Sequence, residues 1–123
     1  MGKTILIVED QVIAAKYHQE VMQTLGHEVV ETVKTEHDAI RAAKSKRPNV
    51  ILMDIRLEGD HDGVETALRI KEFMGVDIVY VTAYGDKESS VAAPGFQPPD
   101  YGYVVKPYSV DELKVEFERI LDS

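Results

Sequence analysis

Three carboxylates stand directly after two short apolar runs. Glu9 and Asp10 follow Ile5-Leu6-Ile7-Val8, and Asp54 follows Val50-Ile51-Leu52-Met53. Thr82 closes a third run that starts at Asp77, and Ala83 behind it is too small to obstruct its hydroxyl. Lys106-Pro107 follows a fourth run, Gly102 to Val105. A lone acid after a strand is more often a helix cap than a site, and Asp10 would serve as one for a helix starting near Val12. Thr82 alone reads as a β-branched strand residue, and Lys106 alone as a solvated charge. Three carboxylates converging on one crevice are different, because their mutual repulsion costs stability unless a cation sits among them. An all-oxygen ligand set suits a hard cation, ordinarily Mg²⁺. Acids, a hydroxyl and an ammonium together are the parts of phosphoryl transfer, which needs positioning and charge neutralisation more than covalent help.

The elements that must position these groups alternate along the chain. Ile5 to Val8 reads as a buried strand, and Val12 to Leu25 as a helix stopped by Gly26. Glu28 to Val33, rich in β-branched residues, reads as a second strand, and Glu36 to Lys46 as a helix ended by Pro48. Val50 to Met53 is a third strand, closed by Asp54 and followed by a polar loop from Arg56 to Asp62. A helix is predicted from about Gly63 to Met74, then strands at Asp77 to Thr82 and Gly102 to Val105. Val110 to Leu121 is the last helix, with Ser109 as its N-cap and Glu112 completing a capping box. Asp86 to Ala93 begins like a fourth helix. Pro94-Gly95-Phe96-Gln97-Pro98-Pro99 forbids its continuation, so that helix is short and a stiff loop follows it.

Uniformly apolar strands separated by helices predict an α/β fold, a doubly wound five-stranded parallel sheet covered on both faces. The expected strand order is flavodoxin-like, 2-1-3-4-5, in a single domain over 1–123. Ligands of such sheets sit beyond the carboxyl ends of the strands where the order reverses. Here that point lies between the first and third strands, where the three acids arrive.

Composition sets outer bounds. With 123 residues, 44% of them hydrophobic and 29% charged, the chain suits one folded domain. No apolar run approaches the ~20 residues of a membrane span, and the four apolar residues before Glu9 do not make a signal peptide. The absence of cysteine excludes a disulfide scaffold, a thiol nucleophile and a Cys-based zinc site. These features together point to the cytoplasm. A net charge of −8 argues against a grip on nucleic acid or an anionic membrane. The densest basic stretch, Arg41 to Arg47, falls on an amphipathic helix and reads as a solvated face.

Ile-Val-Glu-Asp at 7–10, Leu-Met-Asp-Ile at 52–55, Asp-Gly at 62–63, Val-Thr-Ala at 81–83 and Lys-Pro at 106–107 resemble the receiver domain of two-component response regulators. Each motif is weak alone, but five in order, each at a strand end or the following turn, are specific. The resemblance implies that Asp54 is the phosphoacceptor, taking its phosphoryl group from a phosphohistidine on a sensor histidine kinase or phosphotransfer protein. It implies that Asp10 and Asp54 bind Mg²⁺ directly with the backbone carbonyl of Arg56, and that Glu9 acts through water. Lys106, the Thr82 hydroxyl and the Ala83 amide would bind phosphoryl oxygens, and Thr82 and Tyr103 would form the switch. Formal charges agree: Glu9, Asp10 and Asp54 carry −3 and Lys106 +1, leaving −2 for one Mg²⁺ to cancel. The implied activity is self-phosphorylation and self-dephosphorylation, an aspartyl-phosphate signal in a phosphorelay, with no output domain on this chain. The downstream target would be a protein. The face made by the fourth helix, fifth strand and last helix would be the signalling and homodimer surface.

Some positions depart from the family pattern. Glu9 stands where many receivers have aspartate, a change that an acid acting through water tolerates. Arg56 and Tyr84, each two residues past a site residue, either screen the acyl phosphate or decorate the loops. The stretch from Thr82 to Lys106 is slightly long. His18, His27, His37 and His61 show no ligand spacing, so each is expected to be an exposed histidine, with His61 nearest the acidic loop.

Three rival functions bear comparison with these residues. An aspartyl-phosphate phosphatase of the haloacid dehalogenase type needs an acid where Val12 stands. A flavodoxin-type flavin carrier needs a Ser/Thr/Gly-rich loop after the first strand, and Gln11-Val12-Ile13-Ala14 is not one. A receiver that only binds protein, without phosphoryl turnover, remains compatible with the same residues.

Overall fold

The computed structural model describes residues 2–55, 63–82 (backbone only at Thr82) and 101–121. Five strands, β1 (Thr4–Val8), β2 (Glu28–Val33), β3 (Val50–Asp54), β4 (Asp77–Thr82) and β5 (Tyr101–Val105), form one parallel sheet in the order β2-β1-β3-β4-β5. The described helices are α1 (Val12–Thr24), α2 (Glu36–Lys46), α3 (Gly63–Lys71) and α4 (Val110–Leu121). The doubly wound order read from the sequence is the order found. The short helix expected at Asp86 to Ala93 and the loop at Pro94 to Pro99 lie outside the described residues.

Side chains alternate along each strand, so the sheet feeds two cores. Ile5, Ile7, Leu52, Val79, Val81 and Val104 face α1 and α4, which contribute Val21, Met22, Leu113, Phe117 and Ile120. Leu6, Val8, Ile51, Met53, Ile78 and Tyr80 face α2 and α3, which contribute Ala39, Ala42, Ala43, Ala67 and Ile70. Burying a side chain of the Leu, Ile or Phe class contributes about 1.5–3 kcal/mol. Both layers are needed because β1 and β3 have no solvent-facing side.

Local chemistry sets the helix ends. The Thr35 side chain accepts from Asp38 N–H at 3.2 Å, starting α2, and Arg47 in the left-handed region (φ 46°) ends it before Pro48. Ser109 and Glu112 form the reciprocal capping box of α4 at 3.1 and 3.2 Å. Helix α3 is shorter than its apolar pattern suggests. Phe73 N–H bonds to the Ile70 carbonyl at 3.1 Å and Glu72 N–H to that of Arg69 at 3.3 Å, a tightened turn that closes the helix after Lys71. The basic residues of α2 are exposed, as a solvated face requires.

Two contacts made by α4 hold the outer edge of the sheet. Among the described residues β5 has a strand neighbour on one side only. On its other side, Tyr103 N–H donates to Glu116 Oε2 at 3.0 Å, and Arg119 donates to the Tyr101 carbonyl at 3.1 Å. Arg119 and Glu116 are themselves paired at 3.0 Å.

Gly63 explains the Asp-Gly pair seen in the sequence. Its N–H donates to the Ile55 carbonyl. A Cβ here would stand 2.8 Å from the Asp54 carbonyl carbon, 2.9 Å from Ile55 Cα, and closer still to the Asp54 oxygen. Backbone cannot move aside as a side chain can, so α3 starts hard against the segment that carries Asp54. Gly63→Ala is expected to lose about 1–3 kcal/mol in urea denaturation, the ordinary cost of overpacking. Gly75→Ala, where a Cβ meets nothing within 4 Å, should stay within about 0.5 kcal/mol of wild type. Equal losses at the two positions would contradict this account.

Candidate functional site

Strand register brings the sequence-predicted acids together. Val8 pairs with Met53, so the residues that follow, Glu9 and Asp54, leave β1 and β3 level with each other. Asp54 pairs with Val81, and Thr82 with Val105, so the ends of β4 and β5 reach the same rim. Glu9 N–H bonds to the Val33 carbonyl at 2.9 Å, which carries the sheet pattern one residue past β1. Glu9 is fully buried, Asp54 is 7% exposed and Asp10 is half-buried. One carboxylate oxygen from each lies within 4.8 Å of the others.

Lys106 closes the crevice from β5. Its Nζ is 3.0 Å from Glu9 Oε1 and 3.5 Å from Asp54 Oδ2. The Lys106-Pro107 peptide is cis. The ammonium therefore lies across two of the acids.

Glu9 has a further partner that the sequence reading missed. His18, expected to be exposed, is 2% exposed and buried beneath α1. The reason is helical spacing: Ala15, His18, Val21 and Met22 make one stripe, the face that α1 lays on the sheet. His18 Nε2 lies 2.9 Å from Glu9 Oε1, and Nδ1 lies 2.5 Å from the hydroxyl of Tyr108. Tyr108 is also buried, and its ring stacks on the imidazole at 5.6 Å between centroids. Tyr17 donates its hydroxyl to the Tyr108 carbonyl at 2.6 Å, holding α1 to the turn after β5. Gln11 N–H donates to Glu9 Oε2 at 3.3 Å.

These contacts decide the charge on Glu9. Burial alone would raise its pKa, but hydrogen bonds with His18, Asp54 and Lys106 outweigh that and hold the carboxyl far below its ordinary range. Lys106 is pushed the other way: burial would lower it, yet the Glu9 hydrogen bond and the Asp54 charge raise it. Burial also raises the Tyr108 hydroxyl well above the ordinary tyrosine range. The crevice thus holds an ionised Glu9 and a charged Lys106 side by side.

Tyr103 is half-buried on β5 and packs against the core beside α2 and α3. The Thr82 side chain, Arg56, Ala83, Tyr84 and His61 lie outside the described residues. Of the other histidines, His37 is exposed and His27 is half-buried, its Nδ1 accepting from Lys3 N–H at 3.0 Å. Burial, then the N-terminus and Lys3, lower the pKa of His27. No described helix is long and apolar enough to cross a membrane.

A family model described as the response regulator receiver domain matches residues 5–118. The chain is 30% identical over 115 residues to the polar-differentiation response regulator DivK of Brucella anthropi, covering 89% of each chain. It is 29% identical over 114 residues to the phyllosphere-induced regulator PhyR of Methylorubrum extorquens, covering 85% of this chain and 43% of that one. Among solved structures, the signal receiver domain of a modulated diguanylate cyclase from Desulfovibrio desulfuricans G20 superposes with a TM-score of 0.81 at 30% identity, over 99% of this chain and 96% of that one. The chain spans about half or less of the length of several curated relatives that it matches.

The Glu9 cluster has a consequence for stability. The unfolded chain takes up a proton at Glu9 near the ordinary value of 4.5, while the folded chain resists it to much lower pH. The stability contributed by this carboxylate is therefore complete above that value and is lost as pH falls below it. The urea midpoint of the wild type should fall from pH 6 to pH 3 more steeply than that of Glu9→Gln, which has no such proton to bind. Parallel curves for the two proteins would show that Glu9 is not the linked group.

Proposed function

The chain belongs to the response regulator receiver domain family of two-component systems, and from that premise we propose that it is a phosphorylation-dependent signalling module over 1–123 with Asp54 as its acceptor. One observation carries the reading: at the rim where the strand order reverses, Asp54 stands beside Glu9 and Asp10 with Lys106 laid across them. Three clustered carboxylate oxygens fit a hard divalent cation. Asp10 and Asp54 would hold Mg²⁺ with the Arg56 carbonyl, and Glu9 would act through water. Mg²⁺ supplies positive charge opposite the incoming phosphoryl oxygens.

The remaining work falls to the side chains. An Asp54 carboxylate oxygen attacks phosphorus in line with the bond to the donor nitrogen. That bond breaks, its electron pair returns to the imidazole, and an acyl phosphate remains on Asp54. Lys106 transfers from Glu9 and Asp54 to a phosphoryl oxygen, with the Thr82 hydroxyl and Ala83 amide on the others. Water later hydrolyses the acyl phosphate, so the domain catalyses only its own phosphorylation and dephosphorylation. The donor is a phosphohistidine on a sensor kinase or phosphotransfer protein in the cytoplasm. Val12 and Ile13, 67% and 87% exposed where α1 leaves the crevice, offer that protein apolar contacts. The output is a protein contact or homodimer through the β5–α4 face, with no nucleic acid or membrane bound directly.

With a small phosphodonor and Mg²⁺, intact mass should show one phosphoryl group on the wild type and none on Asp54→Asn. Labelling of that variant at a comparable rate would remove Asp54 from the role. Asp10→Ala should weaken Mg²⁺ binding and slow labelling more than Glu9→Gln does, since Asp10 is assigned as a direct ligand. The reverse ranking would exchange the two roles.

The signal is read through Tyr103. Phosphorylation adds charge and acceptor oxygens at Asp54, drawing the Thr82 hydroxyl toward them. The space this frees beside β4 admits the half-buried Tyr103 ring. Completing its burial is worth on the order of 1–3 kcal/mol, enough to shift a balanced equilibrium several-fold or more. NMR with a beryllofluoride mimic should move Tyr103 and residues 84–93 along with the metal-site resonances. Shifts confined to the metal site would show that this receiver works without the aromatic switch.

A further inference from the structure

The site reading gives no work to the most buried polar contact in the crevice, that between His18 and Glu9. His18 and Tyr108 are 2% and 4% exposed, and Glu9 is fully buried. Their distances suit one arrangement of hydrogens. An ionised carboxylate only accepts, so His18 must donate through Nε2–H. Tyr108 O–H is then assigned as the donor to Nδ1, the tautomer that the NMR measurement below tests. The chain runs one way, from Tyr108 through His18 to Glu9.

The turn after β5 therefore reaches Glu9 along two routes. Lys106 touches Oε1 directly at 3.0 Å, and Tyr108, two residues on, reaches the same oxygen through the imidazole. The routes differ in what they can release. Lys106 is 28% exposed and already lies 3.5 Å from Asp54, so it is free to move toward an arriving group. His18 is walled in by α1, Tyr108 and the sheet. When Lys106 leaves Glu9, the imidazole N–H stays on Oε1.

We propose that His18 is a positioning residue for phosphoryl uptake: through Nε2–H, with Tyr108 fixing its tautomer, it holds the Glu9 carboxylate in place so that Lys106 can transfer to the phosphoryl group. This rests on the reading of the crevice as a Mg²⁺ and phosphoryl site. The imidazole acts through Glu9 and touches neither metal nor phosphoryl group. Without it, Lys106 is the nearest compensating donor for a buried charge and stays on Glu9.

The test uses the full chain and three variants. His18→Leu keeps the buried volume without a donor. His18→Gln places an amide N–H near the position of Nε2. Tyr108→Phe removes only the hydroxyl. In the metal-free wild type, long-range ¹H–¹⁵N NMR should show the His18 ring protonated on Nε2 alone. Groups that hold metal ligands in place typically matter about 10–100-fold. Since Glu9 acts through water, His18→Leu should weaken Mg²⁺ binding in calorimetry and slow labelling at saturating Mg²⁺ by about three- to tenfold each. His18→Gln should recover most of both losses although it is no more stable to urea than His18→Leu. Tyr108→Phe should fall between wild type and His18→Leu, which keeps the test open if the leucine variant folds poorly.

A ring protonated on Nδ1 overturns the proposal. So do Mg²⁺ affinity and labelling in His18→Leu and Tyr108→Phe that match the wild type, even where the wild type binds and labels normally. Losses that merely track urea stability, with no recovery in His18→Gln, reduce His18 to a packing residue and overturn it as well. A wild type that takes up neither Mg²⁺ nor phosphoryl group overturns the site reading and this inference with it.

Discussion

An ionised carboxylate without solvent contact is the constraint around which the carboxyl end of this sheet is built. Glu9 follows the strand that lies between β2 and β3, and its side chain is fully buried. A charge in that position is costly unless it is paired and hydrogen-bonded. Its partners come from opposite ends of the chain, His18 from the helix that follows and Lys106 from the turn after the last strand. Removing one partner of such a buried pair typically costs about 3–5 kcal/mol, because the other charge stays behind. Closing the fold and assembling the crevice are in this sense one event.

The apolar part of the molecule gives that crevice its geometry. Parallel pairing sets Glu9 level with Asp54 and sets the ends of β4 and β5 at the same rim. A slip of one residue would turn every strand side chain to the opposite core, so the two packed layers hold the register. Gly63 adds a second restraint, since α3 begins against the Asp54 backbone at a distance that only glycine permits. Acids with strong mutual repulsion are thereby kept close by forces that have nothing to do with charge.

Much of this was legible in the sequence because burial on both faces leaves an unambiguous signature. Ile5 to Val8 and Val50 to Met53 contain no polar residue, which marks central parallel strands and places the acids that follow them. The end of α3 was harder to read, because Phe73 and Met74 continue an apolar pattern while the backbone tightens into a turn. His18 escaped for a different reason. Histidine was read as polar and therefore exposed, although its spacing from Ala15, Val21 and Met22 sets it on the buried stripe of α1. Tyr108 gave no local signal at all. Its meaning depends on a partner 90 positions away, and only the closed fold brings the two rings together. The readings at Arg56, Ala83 and the Thr82 side chain fall outside the described residues.

The way α4 covers the rim of β5 bears on what the domain avoids. A strand edge offers its amides and carbonyls to any extended chain that drifts past, and this is a common start of aggregation. Here Glu116 occupies the Tyr103 amide and Arg119 the Tyr101 carbonyl, while the two side chains neutralise each other. An intruding peptide would have to break an ion pair and uncover a carboxylate before making its first ladder bond. The same pair sits on the β5–α4 face proposed above as the signalling surface. A contact made there is therefore steered toward side chains and away from backbone pairing, which allows it to be both selective and reversible.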